Sequence, residues 1–101
     1  MTRCTCRPRD TCEACFMQQV ADLARLRGWW VFHVYDSRRS REGWPDLVLL
    51  RGRRALFREL KRDGGRLSDL QRDVLKRLAD AGLNAGVWYP ADWPAIEEEL
   101  A

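Results

Sequence analysis

Asp46, Glu59 and Lys61 are the residues of this 101-residue chain whose types and spacing best suit chemistry. Two apolar runs, Asp46 to Arg51 and Ala55 to Lys61, flank Arg51-Gly52-Arg53-Arg54, which supplies a glycine where a hairpin turn needs one. The runs should be antiparallel neighbours. With a loop of two residues or four, residue 50 faces 55, 48 faces 57, and Asp46 faces Glu59. A three-residue loop would instead put the two carboxylates on opposite faces. Because side chains alternate along a strand, Glu59 and Lys61 share the face that carries Asp46. Like charges held directly opposite are unfavourable, so a chain that keeps them there either protonates one or places a cation between them. Carboxylate oxygens of this kind suit Mg²⁺ or Mn²⁺. The competing reading leaves all three as solvated strand ends. Against it, arginine supplies 16 of the 18 basic residues, which makes lysine at 61 a departure, and Phe57 shares the same face, which marks that face as covered.

The elements that must position these residues follow from periodicity and punctuation. Asp10 to Arg27 has Phe16, Val20, Leu23 and Ala24 at helical spacing, and Asp10-Thr11-Cys12-Glu13 has the pattern of a capped start. Glu13, three before Phe16 and four before Met17, should point along the buried stripe. Trp29 to Val34 reads as a first strand whose near-continuous apolar character implies burial on both faces, and its His33, the one histidine, reads as structural. A polar loop, Tyr35 to Glu42, carries Arg38, Arg39 and Arg41, which could hold backbone phosphates. After the hairpin and a flexible turn at 62–66, a helix from Ser68 to Ala81 turns Leu67, Leu70, Val74, Leu75 and Leu78 inward. Gln71 interrupts that stripe, and Ser68 with Gln71 has capping-box spacing. Ala85 to Tyr89 is the last strand, and Pro90-Ala91-Asp92 turns into a short acidic helix ending at Leu100, with Glu97, Glu98 and Glu99 on a solvated face. The order αβββαβ plus a short C-terminal helix makes an α/β fold, a mixed β-sheet flanked by helices.

In chain order the sequence carries a helix led by Glu13, Gly28-Trp29 before a strand, Gly43-Trp44-Pro45-Asp46, Glu59-Leu60-Lys61, Leu67-Ser68 with Gln71, and a strand running into Pro90-Ala91-Asp92-Trp93. This ordered set resembles the VRR-NUC domain, the virus-type replication-repair nuclease of the PD-(D/E)xK superfamily. The resemblance implies a restriction-endonuclease-like core and a Mg²⁺- or Mn²⁺-dependent endodeoxyribonuclease. In it Asp46, Glu59 and the Leu60 backbone carbonyl would hold the ion, and Lys61 would orient the attacking water or stabilise charge on the phosphorane. Glu13 would hold a second ion or act through water, and Gln71 would position Lys61 or the nucleophile. Small stand-alone VRR-NUC proteins resemble junction resolvases, which implies a homodimer acting on Holliday-junction or other branched DNA. Two further readings stand beside this one: a non-cleaving, zinc-containing nucleic-acid-binding adaptor, and a sequence-specific restriction-type endonuclease.

All four cysteines lie in Cys4-x-Cys6 and Cys12-x-x-Cys15. Clustered pairs in a reducing compartment fit a structural Zn²⁺ site; free or redox-active thiols and disulfides are the alternatives. The chain then divides into a Cys-rich segment, 1–12, with a zinc knuckle as one reading, and a nuclease-like domain, 13–101. The length suits one core, and no apolar run could span a membrane or serve as a signal peptide, so an intracellular, cytoplasmic protein is expected. The net charge of +3 is unevenly spread, with ten basic residues against five acidic ones between Tyr35 and Arg66. That excess surrounds the acidic hairpin end, where a phosphodiester would otherwise be repelled, and Arg62 and Arg66 join the loop arginines as candidate phosphate contacts.

Overall fold

The computed structural model describes residues 12–34 and 41–101. Helix α1 (Glu13–Leu26) is followed by strands β1 (Trp30–His33), β2 (Leu47–Arg51) and β3 (Arg54–Leu60), helix α2 (Asp69–Asp80), strand β4 (Asn84–Trp88), a 3₁₀ turn (Pro90–Asp92) and helix α3 (Trp93–Leu100). The sheet order is β1-β2-β3-β4, antiparallel between β1 and β2 and between β2 and β3, and parallel between β3 and β4. A parallel pair needs a crossover, and α2 supplies it. This is the expected α/β architecture with a mixed sheet flanked by helices, consistent with a PD-(D/E)xK-like core.

The hairpin turn contains two residues, Gly52 and Arg53, so Leu50 pairs with Ala55 and Val48 with Phe57. Gly52 sits at φ +59° and no other residue type in the described chain takes positive φ, which is the pattern of a tight II′-type connection. The pairing divides the side chains cleanly. Leu47, Leu49, Leu56 and Leu60 face α1 and α3, where with Phe16, Val20, Ala24, Trp29, Trp88, Ile96 and Leu100 they make the main core. Trp29 closes that layer by donating from Nε1 to the Leu100 carbonyl at 3.1 Å, with the Arg51 and Arg54 guanidiniums stacked 4.6 and 4.9 Å from its ring centre.

Helix α2 lies against β4 on the other face, with Val74 and Leu75 buried. It leaves the β1–β2 half of that face open. The expectation that β1 is buried on both faces is therefore corrected. β1 is an edge strand with Trp30 57% and Phe32 47% exposed, stacked on each other at 6.0 Å, beside Leu50 at 40%. Leu70, expected on the inward stripe of α2, is likewise 48% exposed, in the first turn of the helix beside Gly43. Glu99 is more than part of a solvated face. It pairs with Arg54 at 3.5 Å and Arg58 at 3.7 Å and accepts from Asn84. Among the described residues no helix is long and apolar enough to cross a membrane.

Candidate active site

Four short structural decisions bring the chemistry together at one end of the sheet. β2 begins at Leu47, so Asp46 sits at the strand mouth, where its backbone carbonyl still accepts from Val34 N at 2.9 Å and its side chain falls on the α2 face. Continuing the β2–β3 register by one step places Asp46 opposite Glu59. The Asp46 carboxylate takes over the ladder: its Oδ2 accepts from Leu60 N at 3.1 Å. In an extended strand the N–H and C=O of one residue point to the same side, so the Leu60 carbonyl is directed toward Asp46 as well.

The residues ahead of Asp46 are held by packing. Trp44 stands edge-on to Phe57 with ring centres 6.0 Å apart, Pro45 is fully buried, and Gly43 adopts φ +88° against the α2 backbone. A Cβ at position 43 would lie 2.7 Å from the Leu70 carbonyl oxygen, so this glycine is required both by its dihedral and by space.

Glu59 is only 3% exposed. Its Oε1 accepts from Gln71 Nε2 at 3.0 Å, while Oε2 is buried and has no hydrogen-bond partner among the described residues. Burial raises the Glu59 pKa to about 8, the nearby charge of Asp46 pushes the same way, and Lys61 opposes them. Two ionised carboxylates offer no proton to each other, so the orphaned oxygen calls for either a shared proton or a cation.

Lys61, two residues beyond Glu59 on the same face, is half-buried, and its backbone N–H donates to the Trp88 carbonyl at 3.1 Å. Gln71 comes from the start of α2, whose capping box is fully formed. Gln71 N donates to Ser68 Oγ at 3.1 Å, and Gln71 Oε1 accepts from Ser68 N at 2.9 Å. Its contact in the site is therefore Glu59.

Glu13 departs from expectation. It is exposed, as the first residue of α1, with Cys12 as the N-cap before it. It nevertheless lines a cleft of about 410 Å³ with Ala14, Met17, Gln18, His33, Asp46 and Leu60. His33 is half-buried there, its pKa lowered by desolvation and by Arg25 and raised by Asp46. On the α2 side of Asp46 a second cleft, about 230 Å³, is lined by residues including Arg41, Trp44, Ser68 and Gln71. Among the described residues no three His, Cys, Asp or Glu side chains converge, so the acidic centre is the Asp46–Glu59 pair.

Of the candidate phosphate contacts, Arg41, Arg62 and Arg66 are exposed near this end of the sheet, and Arg38 and Arg39 lie outside the described residues. Of the cysteines, Cys12 and Cys15 flank the first turn of α1, both half-buried, and Cys4 and Cys6 lie outside the described residues, as does the Asp10 of the expected cap. Sequence reasoning did not single out Trp44 or Tyr89 as lining residues; the signal for Trp44 was its place inside the Gly43-to-Asp46 motif.

The donor set fits a hard divalent cation: carboxylate oxygens from Asp46 and Glu59, one of them buried and without a partner among the described residues, beside a backbone carbonyl. A family model for the VRR-NUC domain matches residues 8–92, most of the chain. No curated protein and no solved structure matches it. With Asp46, Glu59, Lys61 and Gln71 gathered at one sheet end and all four inside the match, the chain belongs to the VRR-NUC family and is a nuclease domain of the PD-(D/E)xK type, with DNA as its partner.

Proposed function

We propose that this protein is a Mg²⁺- or Mn²⁺-dependent endodeoxyribonuclease that cuts branched DNA of the Holliday-junction kind as a homodimer. The observation that carries the metal-dependent reading is the buried Oε2 of Glu59, beside Asp46 and without a hydrogen-bond partner among the described residues. Asp46, Glu59 and the Leu60 carbonyl are the groups that would hold the ion, which when bound supplies Lewis-acid polarisation of the phosphate and acidifies water. Lys61 places its ammonium beside the carboxylates, where it stabilises negative charge on the pentacovalent phosphorus and orients the attacking water. Gln71 fixes the plane of the Glu59 carboxylate through Oε1, leaving Oε2 for the cation. Glu13 approaches from the α1 side of the cleft and is suited to a water or a second ion rather than to the main site.

The homodimer is supported by the uncovered apolar face around Trp30 and Phe32 on the edge strand and Leu50 on its neighbour, because a two-fold contact pairs such a face with itself and closes the strand edge.

The test is cleavage of labelled four-way junction, flap and linear duplex with Mg²⁺ or Mn²⁺, beside Glu59→Ala and an EDTA control, with sedimentation velocity for the dimer. Metal- and Glu59-dependent junction cleavage is the expected result. Binding without cleavage in either metal would overturn the reading, and equal cutting of linear duplex at fixed sites would replace junction selectivity with restriction-type recognition.

A further inference from the structure

A third cleft opens at the same end of the sheet, on the β4 side of Lys61. It holds about 380 Å³ and is lined by Gly65, Arg66, Leu67, Arg72 and Tyr89. Tyr89 has extended backbone dihedrals, φ −115° and ψ 157°, so the parallel β3–β4 register runs one step beyond its last pair, Leu60 with Trp88, and places Tyr89 beside Lys61. The hydrogen bond from Lys61 N to the Trp88 carbonyl holds that step together. By alternation Tyr89 falls on the face that carries Glu59 and Lys61, about 5 Å from Lys61 in the backbone and about 12 Å from Asp46, two strands across and two residues further along. The cleft is therefore set off from the phosphate being cut, within side-chain reach of a neighbouring nucleotide.

The wall opposite Tyr89 is built. Asp63 Oδ1 accepts from Ala91 N at 3.1 Å, tying the 62–66 turn to the residues after β4. Gly65 N donates to the Arg62 carbonyl at 2.9 Å, and Gly65 packs so close to Lys61 that a Cβ there would lie 3.4 Å from the lysine Cβ. Arg72 is anchored by donating from one terminal nitrogen to the Leu67 carbonyl at 3.1 Å. Its ion pair with Asp69 spans 3.5 Å to a fully solvated carboxylate and competes weakly with a phosphate. Arg66 is exposed and makes no hydrogen bond among the described residues, and Tyr89 is half-buried. Two guanidiniums and an aromatic ring around one small cleft match the two parts of a nucleotide, a phosphate and a flat base.

We infer that the cleft lined by Arg66, Arg72 and Tyr89 binds the nucleotide adjacent to the scissile phosphate, with its phosphate on the two guanidiniums and its base against the Tyr89 ring. The inference rests on the nuclease reading and extends it to residues, Arg72 and Tyr89, that the motif does not contain. Arg66 and Arg72 act as phosphate contacts that set position, and the ring is a stacking surface that accepts any base.

The experiment measures binding of fluorescein-labelled four-way junction by anisotropy, in EDTA and in Ca²⁺, across a salt series. Tyr89→Ala should weaken binding about tenfold with an unchanged salt slope, and Tyr89→Phe should bind as wild type. Tyr89→Leu, which keeps the bulk of the half-buried side chain, should behave as Tyr89→Ala and removes loss of folding as an explanation. Arg66→Ala and Arg72→Ala should each reduce the slope of log affinity against log salt by about 0.7 to 0.9. Wild-type affinity and slope in both arginine variants, or wild-type affinity in Tyr89→Leu, would overturn the inference while the nuclease reading stood. Weak binding in Tyr89→Phe equal to that in Tyr89→Ala would replace stacking with a hydroxyl contact, and a wild-type protein that binds no DNA at all would remove both readings.

Discussion

Gln71 Nε2 donates to Glu59 Oε1 at 3.0 Å while the same amide's Oε1 accepts from Ser68 N at 2.9 Å, so one side chain closes the helix cap and steadies the buried carboxylate. The two duties separate by substitution. Gln71→Glu keeps an acceptor for Ser68 N but sets a negative charge against Glu59, whereas Gln71→Ala loses both contacts. Thermal melting should show Gln71→Ala less stable by about 1 kcal/mol, the usual size of a lost cap. Gln71→Glu should hold more of its cap stability and yet lose at least as much nuclease activity, because like charge discourages ionisation of Glu59. If Gln71→Glu cleaves at the wild-type rate, the contact with Glu59 has no catalytic consequence.

The raised pKa of Glu59 makes stability depend on pH in a stated direction. In the folded chain the carboxyl titrates near 8, mainly because it is buried and then because Asp46 is beside it, whereas an ordinary carboxyl titrates near 4.5. Below about pH 4.5 the group is protonated in both states and contributes no slope. Between 4.5 and 8 the native state keeps a proton that the unfolded chain releases, so stability falls as pH rises, and the slope ends above 8. Each pKa unit corresponds to about 1.4 kcal/mol, which puts the total at a few kcal/mol. Melting temperatures in EDTA from pH 5 to 9 should fall more steeply for wild type than for Glu59→Gln. Added Mg²⁺ should stabilise wild type most at the alkaline end, where no proton competes for the oxygen. Parallel pH profiles for the two proteins would show that Glu59 is not the group responsible.

The carboxylate pair was legible in the sequence because two local rules were enough. A glycine at the turn set the register, and period-two alternation carried Asp46 and Glu59 to the same face. Ser68 and Gln71 were legible as a cap for a similar reason, since capping is local. What depended on distant layers was not. The apolar run of β1 looks the same whether a helix covers it or not, and α2 stops short of it, leaving Trp30 and Phe32 in solvent. Glu13 has the spacing of a buried residue, but it is the first residue of α1 and lines an open cleft instead of the core. The contact from Gln71 to Glu59 crosses from a helix to a strand 12 residues away, and no periodicity within either element contains it.

Arg58 is another case that alternation alone does not explain, since it is 7% exposed on the core side of β3. Its guanidinium donates to the Asn84 carbonyl at 2.9 Å, to Asn84 Oδ1 at 2.7 Å and to the Phe57 carbonyl at 3.0 Å, and stacks 4.9 Å from the Trp88 ring. These bonds fasten β4 to β3 near the crossover. Arg58→Ala should cost about 3 kcal/mol in urea denaturation, from lost packing and from acceptors left without donors. Arg58→Lys should recover little, because an ammonium cannot reproduce the planar fork. Near-wild-type stability of Arg58→Lys would mean that charge alone suffices at this position.

Gly43 links the fold to the chemistry most directly. Its φ of +88° disfavours any residue with a Cβ, and that Cβ would meet the Leu70 carbonyl oxygen at 2.7 Å, a backbone atom of α2 that can move only with its helix. Gly43→Ala should therefore destabilise the protein by about 2 kcal/mol or more through strain and clash together. The displacement falls on two partners at once: Asp46, three residues on, and Gln71, the residue after Leu70. The proposed mechanism needs both groups placed to within a fraction of an ångström, so activity should fall well beyond what the unfolded fraction explains. Assays at a temperature where Gly43→Ala is still fully folded by circular dichroism isolate that effect. Wild-type cleavage there would show that the turn supports stability alone, whereas a loss of about tenfold or more would mean that the glycine of the motif serves the site by allowing the α2 backbone to approach it.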